Sequence, residues 1–176
     1  MGLFDKLFRE KTHQNEEQEQ KRKQGRSDSA LARAALHGQA ETVHALLNAG
    51  ADINARTIIS GWTPLMAAAS EGMTAVVQTL LDRGAEINAP STDGATALIV
   101  AARNGHTATL QVLLDRGAEV NQRTPEGLSA LTAAAAFGHL QIVRLLLSRG
   151  AKDEGGALQA ATRIGHKEIM NLLGES

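Results

Sequence analysis

Residues 61–88 read GWTPLMAAASEGMTAVVQTLLDRGAEIN, residues 94–121 read GATALIVAARNGHTATLQVLLDRGAEVN, and residues 127–153 read GLSALTAAAAFGHLQIVRLLLSRGAKD. Self-similarity at a fixed period identifies an array of stacked units before any other property is weighed. The glycines of the GA pairs fall at Gly50, Gly84, Gly117 and Gly150, in steps of 34, 33 and 33. A leucine ladder, Leu31, Leu65, Leu98, Leu131 and Leu158, keeps the same spacing until its last step of 27, and each leucine is followed seven residues later by Gly38, Gly72, Gly105, Gly138 or Gly165. Five units share one template.

Each unit reads as two short helices. Thr63, Thr96, Ser129 and Ser29 stand where a first helix begins, each with a side-chain oxygen able to cap it, and Pro64 takes the first helical position. The pairs Ala34/Ala35, Ala68/Ala69, Ala101/Ala102 and Ala134/Ala135 let that helix approach its neighbours closely. Gly72, Gly105 and Gly138 permit a turn into a second helix. Its apolar face is Val76, Val77, Leu80 and Leu81, then Leu110, Leu113 and Leu114, then Ile142, Val143, Leu146 and Leu147. Gly84, Gly117 and Gly150 are expected as left-handed stops. Helices of about ten residues are too short to persist alone, so stability must come from contacts between neighbouring units. The segments NARTIISG, NAPSTDG and NQRTPEG are expected as projecting, hairpin-like fingers.

Composition agrees with such a stack. Aromatic residues are 2% of the chain and hydrophobic residues 43%, so the core must be made of Ala, Leu, Val and Ile. From Ser27 onward 11 basic face 14 acidic residues, and the whole chain is at −1, which disfavours nucleic acid as a partner. The chain has no cysteine, which fits a reducing cytoplasm, and no apolar run long enough for a signal peptide or a membrane span.

The period and motifs resemble ankyrin repeats over about residues 27 to 174. The matches are TPL at Thr63–Leu65, the alanine pairs, GH at Gly105/His106, Gly138/His139 and Gly165/His166, and GADIN, GAEIN and GAEVN. The expected fold is an all-α solenoid of about five repeats including two caps. The expected division is an N-terminal extension, 1–26, and a repeat domain, 27–176, made of a first cap (27–56), full repeats (57–90, 91–122 and 123–153) and a shortened last cap (154–176). The last unit has six fewer residues and Gly156 at its capping position, and Arg33, Thr162 and Lys167 are expected to face outward.

Nothing points to catalysis or to a cofactor. GxGxxG, GxxxxGK, GxSxG and HExxH are absent, and no small-molecule substrate is expected. His106, His139 and His166 occupy equivalent places in successive units, too far apart along the stack to share one metal ion, and are expected to satisfy backbone groups at the turn into the second helix. His37 and His44 are expected on helix surfaces. The carboxylates of Asp52, Glu86 and Glu119 are expected to be structural.

The resemblance implies protein binding on the concave face, through finger tips, outward residues of the first helices and the positions before the mid-repeat glycine. Carried onto this chain, Ile59, Trp62, Met66, Ile99, Leu128 and Phe137 are the expected apolar anchors, with Glu71, Asp93, Arg103 and Glu126 as a polar rim. Trp62 and Phe137 also admit a plainer role, lying on adjacent loops or shielding neighbouring alanines. The expected protein is non-enzymatic, cytoplasmic and monomeric alone, an adaptor or inhibitor of another protein. The alternative is a structural, assembly or membrane-proximal scaffold that uses its N-terminal segment as a second attachment point. In that segment Leu3, Phe4, Leu7 and Phe8 gather on one helical face, while residues 9–26 are polar. Docking on the repeats, on a partner groove or weakly on a membrane through residues 2–8 all remain open.

Overall fold

The structure, a computed structural model, describes the backbone of residues 3–174 and the side chains of residues 17–174. Its helices are α1 (Leu3–Leu36), α2 (Ala40–Asn48), α3 (Pro64–Ser70), α4 (Thr74–Asp82), α5 (Ala97–Asn104), α6 (Thr107–Asp115), α7 (Ala130–Ala136), α8 (Leu140–Ser148), α9 (Gly156–Ile164) and α10 (Lys167–Gly174). They form five antiparallel pairs. The odd-numbered helices stack on one another in one layer and the even-numbered helices in a second, so the main contacts of each unit among the described residues are with its neighbours. An isolated bridge between Arg123 and Ser129 is the only strand-like pairing among the described residues.

Local chemistry fixes each helix end. The side chains of Thr63, Thr96 and Ser129, in extended backbone, accept from the N–H groups of Met66, Ile99 and Thr132 at 3.3, 3.4 and 3.1 Å. The second helices end in a two-bond motif: Gly84 N–H donates to Leu81 O and Ala85 N–H to Leu80 O, with Gly84 at φ +88°. The same pair of bonds recurs at Gly117 and Gly150.

The layers meet over small residues. All four alanine pairs are buried, and the largest fully buried side chains include Leu31, Leu65, Leu80, Leu110, Leu113, Leu131, Ile142, Leu146 and Ile169. Three ladders of polar contacts tie consecutive units together. His106, His139 and His166 donate through Nε2 to the carbonyl oxygens of Ser70, Arg103 and Ala136 at 2.9, 3.0 and 3.2 Å. These are backbone groups, as expected, but they belong to the preceding unit. Asn54, Asn88 and Asn121 accept from the N–H groups of Glu86, Glu119 and Lys152. On the outer side Arg83, Arg116 and Arg149 reach back to Asn48, Asp82 and Asp115 at 2.9, 2.7 and 2.8 Å. The histidine ladder begins only at the second joint, because Met73 stands where the other units have His106 and His139.

The first unit departs from expectation. Ser29 does not cap a helix; it lies inside α1, where its hydroxyl donates to Gly25 O at 2.9 Å. Gly25 and Ser27-Asp28-Ser29 are weak helix formers, but the Gln, Glu, Lys, Arg and Ala around them favour helix, and the backbone runs through residue 26 without a break. Asp28 accepts from Asp52 N–H at 2.9 Å, and Gln24 donates to Gly50 O at 3.1 Å. Asn121 makes the same two kinds of bond, to Lys152 N–H and Gly150 O. The helix thus supplies from its side what each later unit receives from the finger before it.

The last unit is closed by a carboxylate. Asp153 accepts from the N–H groups of Ala157 and Leu158, each at 2.9 Å, while Gly155, not Gly156, is the capping residue, at φ +91°. Arg33, Thr162 and Lys167 are exposed, as expected of end units.

Candidate protein-binding face

The fingers are hydrogen-bonded loops. In the first, Thr57 N–H donates to Trp62 O at 3.0 Å, Trp62 N–H to Thr57 Oγ1 at 2.9 Å and Gly61 N–H to Thr57 O at 2.9 Å. Thr57 Oγ1 and Ser60 Oγ lie 2.7 Å apart, Thr92 donates twice to Ser60 O, and Arg56 donates to Pro90 O of the next finger. None of these bonds covers the tip. Ile58 is fully exposed and Ile59 is 93% exposed. The corresponding tips are Thr92-Asp93 and Pro125-Glu126, one residue shorter and largely polar.

Asp93 holds its own finger. Its carboxylate accepts from Ser91 Oγ and from Ala95 N–H. The Ser91 hydroxyl holds it below the usual carboxylate range; the Ala95 N–H and the nearby charge of Arg103 act in the same direction against the effect of burial. Glu71 and Glu126 are exposed, and Arg103 is half-buried.

Two expected anchors are not on the surface. Met66 is 1% and Ile99 2% exposed, both within the core. Helices α3 and α5 are each packed between two neighbouring first helices, and every residue of α3 is buried, so the position after TPL has no free side there. Thr132, at the same position of α7, stays half-buried because the unit after it lacks a full finger. Trp62 and Leu128 are half-buried and pack against the core with one side. Phe137 is 60% exposed, its ring stacked beside His139 with centroids 6.4 Å apart.

A residue outside the expected set joins them. Ile164, 53% exposed, occupies in the fifth unit the position of Phe137 in the fourth. Between finger and α9 runs a groove of about 420 Å³ lined by Glu126, Leu128, Thr132, Gln159, Ala160 and Arg163. Its sequence signal is the six-residue shortening of the last unit, legible as a cap but not by itself as an opening. A larger hollow of about 580 Å³ beside Ala49 is walled by Gln20, Lys21, Lys23, Gln24 and Ser27.

Comparison with family models decides the class. A model of ankyrin repeats matches three times, over residues 4–91, 31–124 and 98–176. The chain belongs to the ankyrin-repeat family. Comparison with curated proteins gives no significant match. Ankyrin repeats are in general protein–protein interaction modules, and the family is typically non-catalytic. In this ankyrin-repeat protein the three repeated histidines are occupied with carbonyl groups, and no helix among the described residues is long and apolar enough to cross a membrane.

Proposed function

We propose that the protein is a non-catalytic adaptor or inhibitor that holds another protein on its concave face. The observation that carries this reading is the first finger: two β-branched apolar residues, Ile58 and Ile59, fully presented on a loop that at least six hydrogen bonds hold in place. Burying an exposed isoleucine contributes about 1.5–3 kcal/mol, and a tip already ordered loses little entropy when it binds. Trp62, Leu128 and Phe137 extend the apolar contact, with Glu71, Arg103 and Glu126 around it. Work in the cytoplasm, as a monomer until the partner binds, fits a chain without cysteine.

The test is co-purification from source cells. Ile58→Ser with Ile59→Ser removes the attached partner and leaves thermal unfolding unchanged. Retention of the partner, or an equal loss of stability, defeats the reading. A second reading makes α1 an attachment point for assembly or for a membrane surface. It is favoured by the exposed helical segment of residues 17–26, whereas the apolar residues 2–8 on which it also depends lie outside the described side chains.

A further inference from the structure

The position six residues after the ladder leucine changes character along the stack. It is His37, Glu71 and Asn104 in the first three units, then Phe137 and Ile164 in the last two. Packing does not require the change, since both side chains are more than half exposed. The position before it is Arg103, Ala136 and Arg163 in the last three units, so the apolar pair sits beside a small residue bracketed by two guanidinium groups.

The groove described above ends at Arg163, the residue before Ile164. It stays open because the fifth unit has no finger, and because Gly156 leaves room beside Thr132, whose Oγ1 would lie 3.2 Å from a Cβ placed there. Its acidic neighbours on that side are occupied: Glu154 pairs with Arg123 at 3.3 Å, and Asp153 caps α9. Arg163 is exposed at the lower end, with no hydrogen bond or ion pair among the described residues, and Glu126 is exposed at the finger end. The groove therefore has a positive charge at the end where Ile164 follows in the chain, and a negative charge at the finger end.

Resting on the reading of this face as protein-binding, we infer that the groove between α7 and α9 is a second docking site on the same face, and that its occupant is a short partner segment with a bulky apolar residue beside a carboxylate. The apolar side chain covers Phe137 and Ile164, and the carboxylate meets the planar fork of Arg163. Glu126 fixes the direction, since it repels an acidic group at the finger end and accepts a basic one.

Phage-displayed random dodecamer peptides selected on the full-length chain provide the probe, with enriched peptides measured by fluorescence anisotropy. The enriched peptides carry Asp or Glu within about two residues of a large apolar side chain, close enough to share the groove end. Arg163→Glu weakens them by about tenfold or more, and replacing the peptide carboxylate by Lys restores binding to that variant. Phe137→Ala with Ile164→Ser weakens them to a similar degree while thermal unfolding is unchanged. Enriched peptides without an acidic residue, binding to Arg163→Glu within about twofold of the parent, or no enrichment at all overturns the inference. Loss confined to the Ile58→Ser/Ile59→Ser variant moves the site to the first finger, which sinks this inference and leaves the concave-face reading intact. Binding indifferent to every one of these substitutions sinks both.

Discussion

His139 Nε2 donates to the carbonyl oxygen of Arg103 at 3.0 Å, and its ring occupies the space that a side chain on Gly105 would need. One imidazole thus satisfies a backbone acceptor of the preceding unit and fills the turn between that unit's helices. His139→Ala removes both contributions, and a loss of about 1–3 kcal/mol is expected in urea unfolding followed by far-UV circular dichroism. Met73→His, which places an imidazole at the joint that lacks one, is expected to stabilise by about 0.5–1.5 kcal/mol. No change in either variant would show the ladder to be inert.

Two of the three glycine positions of a unit separate backbone strain from steric contact. Gly105 and Gly117 have nearly equal positive φ, +83° and +88°, but a Cβ on Gly105 would lie 2.7 Å from the His139 ring, whereas nothing lies within 4 Å of one on Gly117. Gly117→Ala costs about 1–2 kcal/mol for the left-handed conformation alone. Gly105→Ala costs more, by the energy of displacing the imidazole. The excess, read from the two urea midpoints, disappears when Gly105→Ala is measured in the background of His139→Ala.

Asp28 does from a helix what Asn54, Asn88 and Asn121 do from loops. Asp28→Asn is accordingly near neutral, whereas Asp28→Ala leaves the Asp52 N–H without its acceptor and costs about 1 kcal/mol. Amide hydrogen exchange at Asp52 should accelerate in the alanine variant and not in the asparagine variant.

Acid acts through two carboxylates. Asp93 is held low by Ser91, and Asp115 first by the Gln111 side chain and then by Arg149. A carboxylate with a depressed folded pKa contributes stability that is present above its unfolded value, about 3.9, and is lost as pH falls through the folded value. Stability should therefore decline below about pH 4, and Asp93→Asn with Asp115→Asn should flatten that decline in thermal melts. An unaltered acid limb would place its cause elsewhere.

Trp62 and Phe137 part company in stability. Trp62 packs against the core, and Trp62→Ala is expected to cost about 1–3 kcal/mol; Phe137→Ala, at a mostly exposed site, stays within about 0.5 kcal/mol. Equal costs would place Phe137 in the packing as well.

What was legible in the sequence was whatever depends on residues within one unit. Thr63, Thr96 and Ser129 cap helices three residues ahead, and Gly84, Gly117 and Gly150 end them through bonds closing within six residues. Exposure was less legible, because it is set by neighbouring units. Met66 and Thr132 hold equivalent places, yet only Met66 is sealed, since the unit after it brings a full finger and the unit after Thr132 does not. Ser27-Asp28-Ser29 looks like a helix start for a related reason: its acidic side chain is committed 24 residues away, to Asp52. Ile164 carries no signal of its own in the sequence, because one apolar residue in a shortened unit acquires meaning only beside Phe137.

The half-buried indole at the base of the first finger has a spectroscopic consequence. The chain has one tryptophan and no tyrosine, so its emission reports on the second unit alone. In a stack whose units interact mainly with neighbours, a fluorescence midpoint and a circular dichroism midpoint measure different lengths of chain, and their separation gauges how cooperatively the column melts. The same fluorophore would register a ligand at the isoleucine tip and remain silent to one seated three units away.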